Sequence, residues 1–146
     1  MKSAFTLVEV LLIIVILSVI AGSAVPSFRR SYGRRVLSQA VDDVAYLMRY
    51  ARARAVSEGV SVRLRFEDRV LRLIMVSRND ETPREGQAVG RGLRLPEVVG
   101  LDPVPEDVVF HPDGRIDEVV FAVTSSDGKY VLSTREIPGH VLVREE

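Results

Sequence analysis

Glu9 is the only ionisable side chain in the most apolar stretch of this 146-residue chain, FTLVEVLLIIVILSVIAGSAV from Phe5 to Val25. A carboxylate placed in hydrocarbon costs roughly 2.5–3.5 kcal/mol on insertion scales, and an inert apolar anchor has no use for it. The cost is offset if the group meets a cation inside an otherwise dry helix bundle. Cutting the chain after Ala4 would create such a cation, the free α-amine of Phe5, about one helical turn from Glu9. Among staggered copies, the amine of one chain could reach Glu9 of another. The plainer alternative is a Glu9 that stays hydrated near the headgroups or carries a proton.

The other reactive side chains form no constellation. The chain has no Cys, which excludes a disulfide scaffold, a thiolate metal site and a Cys nucleophile. Its two His, His111 beside Pro112 and His140 beside Pro138-Gly139, read as surface loop residues. The carboxylate pairs Glu106-Asp107 and Asp117-Glu118 put neighbouring side chains on opposite faces of an extended segment. They read as solvated faces, and no metal or cofactor is expected. No nucleophile motif surrounds a Ser, no phosphate loop occurs, and Gly90-x-Gly92 lacks the rest of any fingerprint. The chain is not expected to be an enzyme.

The apolar run itself is 21 residues, roughly 31 Å of helix, which matches a bilayer's hydrocarbon. Three membrane readings compete. It could be a signal peptide cut near Ala21-Gly22-Ser23-Ala24, a plain single-pass anchor, or a helix kept after loss of a tiny leader. Beyond it, Val36, Leu37, Ala40, Val41, Val44, Leu47, Met48, Ala51 and Ala55 fall at spacings of three and four and predict a helix ending at Glu58-Gly59. This helix is predicted to continue the apolar rod with a bend near Pro26. The remainder reads as β. Alternating residues predict strands at Val60–Phe66, Leu71–Met75, Val108–Phe110, Val119–Val123, Tyr130–Thr134 and Val141–Val143. Ser125-Ser126-Asp127-Gly128 is a hairpin signal, and Ser77 to Arg94 is predicted to be a long exposed loop. About six strands of antiparallel sheet would then cover the helix stripe.

Lys2, Ala4, Phe5-Thr6-Leu7-Val8-Glu9 and the apolar run together resemble the type IV prepilin signature. That signature is a short basic leader, a small residue, the cut, and Phe-Thr-Leu-[Val/Ile]-Glu. The resemblance implies cleavage between Ala4 and Phe5 by a membrane prepilin peptidase, which also N-methylates Phe5. It implies that Glu9 guides subunit docking, and Pro26 matches a Pro common in these proteins. The departure is Ala4, where Gly is usual. The order of helix then sheet, with Phe110-His111-Pro112-Asp113-Gly114 before the last strands, is similar to the GspH/FimT-type minor pseudopilins.

The resemblance implies a pilin-like α+β fold. It has a leader at 1–4, a transmembrane and assembly helix at 5–25, an amphipathic helical stalk at 26–58 and a β-rich periplasmic head at 59–146. It implies a structural minor pseudopilin of a type II secretion system, single-pass in the bacterial inner membrane, driving protein export as part of a pseudopilus. Expected partners are the prepilin peptidase, other major and minor pseudopilins or pilins, the inner-membrane assembly platform and membrane lipid. The alternative is a minor type IV pilin for pilus assembly or DNA uptake, and a third reading is an anchored domain never cut. Arg29, Arg30, Arg34 and Arg35 after the apolar run, against Lys2 before it, oppose an external head by the positive-inside rule; the more specific signature outweighs that statistical rule.

Charge sharpens the picture. Lys+Arg and Asp+Glu are both 20, so the chain as a whole is neutral and nucleic acid is not an expected partner. Residues 27–72 hold 11 Arg against 5 acids, whereas residues 97–146 hold 11 acids against four bases. This asymmetry is either solvated surface with Arg near anionic headgroups, or complementarity between the head of one subunit and the stalk of the next.

Overall fold

The computed structural model describes residues 6–76 and 88–146, with the side chains of residues 23–31 and of Arg91 outside that description. Two compact units are found, Met1–Tyr32 and Gly33–Glu146. One helix assignment, α1, covers Leu7–Glu58 and is unbroken across Pro26.

Thr6 starts α1. Its hydroxyl Oγ1 accepts from the Glu9 N–H at 3.3 Å, and its carbonyl accepts from the N–H groups of Glu9 and Val10. Thr6-x-x-Glu9 is thus the spacing of a capping box, with the acid in the positively polarised first turn. The other end stops at Gly59, whose φ of 66° is left-handed, and the Val60 N–H closes back onto the Ala55 carbonyl at 3.2 Å. That six-to-one bond with Gly at the bend satisfies the carbonyls a helix end leaves free.

Within the second unit, seven of the nine predicted stripe residues are buried, Leu37, Ala40, Val41, Val44, Met48, Ala51 and Ala55; Val36 and Leu47 are half-buried, and Ala45, outside the predicted stripe, brings the buried set to eight. Four of the eight are Ala, so sheet side chains can approach the helix backbone closely. Eight strands follow. They are β1 (Ser61–Glu67), β2 (Val70–Val76), β3 (Ala88–Arg94), β4 (Gly100–Asp102), β5 (Val108–Phe110), β6 (Val120–Ser125), β7 (Gly128–Ser133) and β8 (Leu142–Glu145). They form two four-stranded antiparallel sheets, ordered β3-β2-β1-β5 and β4-β6-β7-β8.

Both sheets feed one core with the helix stripe. Val62, Leu64, Leu71, Leu73, Val108 and Phe110 come from the first sheet; Phe121, Val123 and Leu132 come from the second. Phe66 of β1 meets Phe121 of β6 edge to face, with ring centroids 5.7 Å apart, which joins the sheets through the ring quadrupoles as well as by burial.

Two expectations are corrected. The single sheet of about six strands is two sheets of four. The segment from Ser77 to Arg94 is not all loop, because Ala88–Arg94 pairs with β2; residues 77–87 lie outside the described ones. β3 escapes a pattern reading because it holds two glycines. Gly90 has φ 72°, the register shifts between Leu71 and Leu73, and a Cβ on Gly92 would sit 2.8 Å from Val70 Cγ1. Gly in a strand marks such a close approach and erases the apolar alternation.

Candidate functional site

The first unit exposes a broad apolar helix surface among its described residues. Twelve large apolar residues between Leu7 and Ile20 are exposed, from 44% at Ile13 to 83% at Leu7. They occupy every face, so no self-packing of a single chain removes them from water. Soluble monomers rarely leave so large a contiguous apolar surface open. Glu9 lies within the first turn of this surface, exposed, and no cation among the described residues reaches ion-pair distance of it. Ala4 and Phe5 fall outside the described residues, as does the side chain of Pro26, so the expected pairing of the Phe5 amine with Glu9 is not placed.

Among the described residues no helix is long and apolar enough to cross a membrane. The apolar stretch with described side chains runs from Leu7 to Gly22. Its 16 residues are about 24 Å of helix, against roughly 30 Å of hydrocarbon. The rest of the predicted 5–25 span falls on side chains outside the description.

In the second unit the head grips the helix at two heights. Near the helix C-terminus, Arg52 Nε donates to the Gly114 carbonyl at 2.8 Å. Gly114 has φ 86° and closes the turn that starts at His111, its N–H donating to the His111 carbonyl at 2.9 Å. A Cβ on Gly139, φ 74°, would stand 3.0 Å from both Arg52 Nη2 and the Gly114 carbonyl oxygen. One guanidinium therefore sits between two glycine turns, and Phe110, with no exposed surface, anchors the first of them. The Phe110-x-x-x-Gly114 pattern is thus a buried ring followed by a turn that receives a helix cation. Sequence reading missed Arg52, which lies on the flank between the buried and exposed helix faces and carries no distinguishing spacing.

Thr134 secures the neighbouring segment. It is buried; its Oγ1 donates to the Asp117 carbonyl at 2.8 Å and accepts from the Val119 N–H at 2.9 Å.

At the other height the β6–β7 hairpin tip lies on the helix. A Cβ on Gly33 would overlap the carboxylate of Asp127, with Cγ 2.7 Å away, and a Cβ on Gly128 would touch Leu37 Cδ2 at 3.4 Å. Gly33 is therefore a notch for Asp127. Gly33→Ala alone should be close to neutral, within about 0.5 kcal/mol, because displacing the half-exposed Asp127 carboxylate offsets roughly 1 kcal/mol of helix propensity. In an Asp127→Ala background the same change should stabilise by about 0.5–1 kcal/mol. A thermodynamic cycle from urea unfolding measures the difference, and additivity of the two changes would refute the notch.

The predicted carboxylate pairs are engaged singly. Asp107 meets Arg65 at 3.3 Å and Arg63 at 3.7 Å, Asp117 Oδ1 lies 2.9 Å from His111 Nε2, and Glu118 meets Arg135 at 3.1 Å. His111 is thus tied to a carboxylate, a partner its loop position did not suggest. Among the described residues no three His, Asp or Glu side chains converge as a metal site would need.

Asp113 accepts from the Arg115 backbone N–H at 3.0 Å and from its guanidinium at 2.6 Å, and these hold its carboxyl below the ordinary 3.8. A depressed acid favours the fold above its unfolded value and loses that contribution as pH falls through the folded one. An NMR titration of Asp113 should accordingly give a midpoint under 3.8, and a midpoint at or above it would refute the contact.

No protein-family model matches the sequence, and no curated protein matches it. Solved structures do resemble it. The minor pseudopilin EpsH from the type 2 secretion system of Vibrio cholerae superposes with a TM-score of 0.57 at 14% identity, over 75% of this chain and 94% of that one. The type IV minor pilin FimU of Pseudomonas aeruginosa superposes equally, at 0.57 and 20% identity, over 76% of this chain and 90% of that one. The chain has a pilin-like fold.

In this pilin-like head six of the 11 acids of residues 97–146 have a cationic or His partner. Beyond the pairs above, Glu136 meets Arg144 at 2.7 Å and Glu146 meets Lys129 at 2.5 Å. Glu97, Asp102, Glu106, Asp127 and Glu145 have no ion-pair partner among the described residues. The Arg-rich stretch from Ser77 to Arg94, considered for DNA, lies outside the described residues except for β3.

Proposed function

We propose that the protein is a structural, non-enzymatic minor pseudopilin of a type II secretion system. It is cut between Ala4 and Phe5, methylated at Phe5, held in the bacterial inner membrane by residues 5–25, and carries its head in the periplasm. Its partners are the prepilin peptidase, other pseudopilins and the assembly platform. One observation supports the reading: a helix whose large apolar side chains from Leu7 to Ile20 are exposed on every face, joined in one chain to a pilin-like head. Lipid is the natural surrounding for that helix before assembly, and neighbouring helices are the natural surrounding after it. Lipid tails are as apolar as neighbouring helices, so assembly out of the bilayer gains from close helix packing and polar contacts rather than from hydrophobic burial. It also needs a register, and Glu9 supplies one by seeking the only cation that a dry helix bundle offers.

Mass spectrometry of the protein purified from membranes tests the processing. A methylated Phe5 N-terminus is expected, and a retained Met1 would overturn it. Glu9→Ala should leave the chain in membranes, since removing the acid removes an insertion cost. Recovery in filaments should fall at least about tenfold, as for loss of one member of a buried pair. Normal recovery would remove Glu9 from the mechanism.

A second reading, a minor subunit of a type IV pilus, is favoured by the equal likeness to FimU. It shares the processing and the Glu9 chemistry and differs in the assembly joined. Co-purification with secretion rather than pilus components separates the two.

A further inference from the structure

The exposed face of α1 carries charges of alternating sign, bordered at Arg49 and Ala53 by the head segment Gly139–Val141. Arg35, Asp42 and Arg49 are exposed and seven residues apart. Charges on one helix pair at spacings of three or four, as Arg54 and Glu58 do at 2.6 Å. Seven residues is two turns, about 10.5 Å, beyond reach. No residue three or four positions from Arg35, Asp42 or Arg49 has the opposite charge, and none of the three has an ion-pair partner among the described residues. Exposed Gln39 and Tyr46 lie between them and exposed Tyr50 and Ala53 just beyond Arg49, with the Tyr46 and Tyr50 rings stacked at 6.4 Å. Aromatic and Arg side chains on a rigid helix are what interfaces select.

We infer that this face is a seam on which a second copy of the same chain lies parallel, displaced by one heptad. In that register Arg35 of one copy faces Asp42 of the other, and Asp42 faces Arg49. The large Tyr46 ring then faces Gln39 on one side and the small Ala53 on the other. An in-register parallel pair would oppose like charges at all three positions. An antiparallel pair could match Asp42 with Arg49 reciprocally, but copies that enter one membrane by the same N-terminus run parallel. For that direction the inference rests on the function proposed above.

The absence of native cysteine makes crosslinking clean. Full-length Gln39→Cys and Tyr46→Cys chains, one carrying a size tag, are reconstituted together in lipid vesicles and oxidised. The mixed 39–46 product should exceed either self-product several-fold. Asp42→Arg in both chains turns two attractive pairs repulsive and should cut that product about tenfold. The Arg35→Asp, Asp42→Arg, Arg49→Asp triple variant restores alternation and should recover most of it. All three positions are exposed, so the fold should survive, which circular dichroism checks. A dominant Tyr46→Cys self-product, a dominant Gln39→Cys self-product, no product, or indifference to Asp42→Arg would each overturn the seam. The same pattern from chains that retain Met1 would uphold the seam while the processing proposed above fails.

Discussion

A chain shortened to begin at Gly33 is expected to stay folded and to lose its need for lipid or detergent. Every residue of the hydrophobic core lies between Leu37 and Leu132, so removing residues 1–32 opens no cavity. It does remove all twelve exposed apolar side chains between Leu7 and Ile20. At about 1.5–3 kcal/mol each when buried, these dominate partition into lipid. Vesicle flotation should lift the full chain and leave the shortened one behind, while the far-ultraviolet dichroism of the head persists. A shortened chain that aggregates or floats would show that a second sticky surface exists on the head.

In that shortened chain, Phe110→Ala is expected to cost about 3–5 kcal/mol, a large part of the stability of a domain this size. Phe110 has no exposed surface, is held opposite Val62 by the β1–β5 pairing, and immediately precedes the turn whose Gly114 carbonyl receives Arg52. Removing the ring leaves a cavity where the first sheet, the helix and that turn share one core, and little can collapse into it. The urea midpoint should fall by about 2 M at an unchanged slope. Val104→Ala, at a side chain 62% exposed, is the control and should stay within about 0.5 kcal/mol. Equal shifts for the two variants would refute the placement of Phe110.

The helix, most of its buried face and its stop were legible, Ala45 being the buried residue the stripe left out. The predicted stripe from Leu37 to Ala55 lies on the buried face, and the Glu58-Gly59 stop is a capped end. The hairpin at Ser125–Gly128 was legible because short turns obey local rules, and its two flanking residues pair as that rule expects. Strand partners were not legible. β5 follows β4 in the chain yet returns to β1, whereas β4 pairs with β6, and no local pattern encodes that choice. The strands β3 and β4 were missed because one is broken by glycines and the other is three residues long.

Of the site, the apolar run and its lone Glu9 belong to the sequence. Hydropathy and charge are properties of residues and need no partner to be read. The roles of Arg52, Gly33, Gly139 and Thr134 belong to the tertiary structure. Each depends on which backbone arrives opposite it from 60 to 100 residues away, or, for Thr134, from across a hairpin. Arg52 has the same composition and helical setting as Arg49, and only the glycine turns brought against one of them separate a clamp within the head from a charge left facing outward.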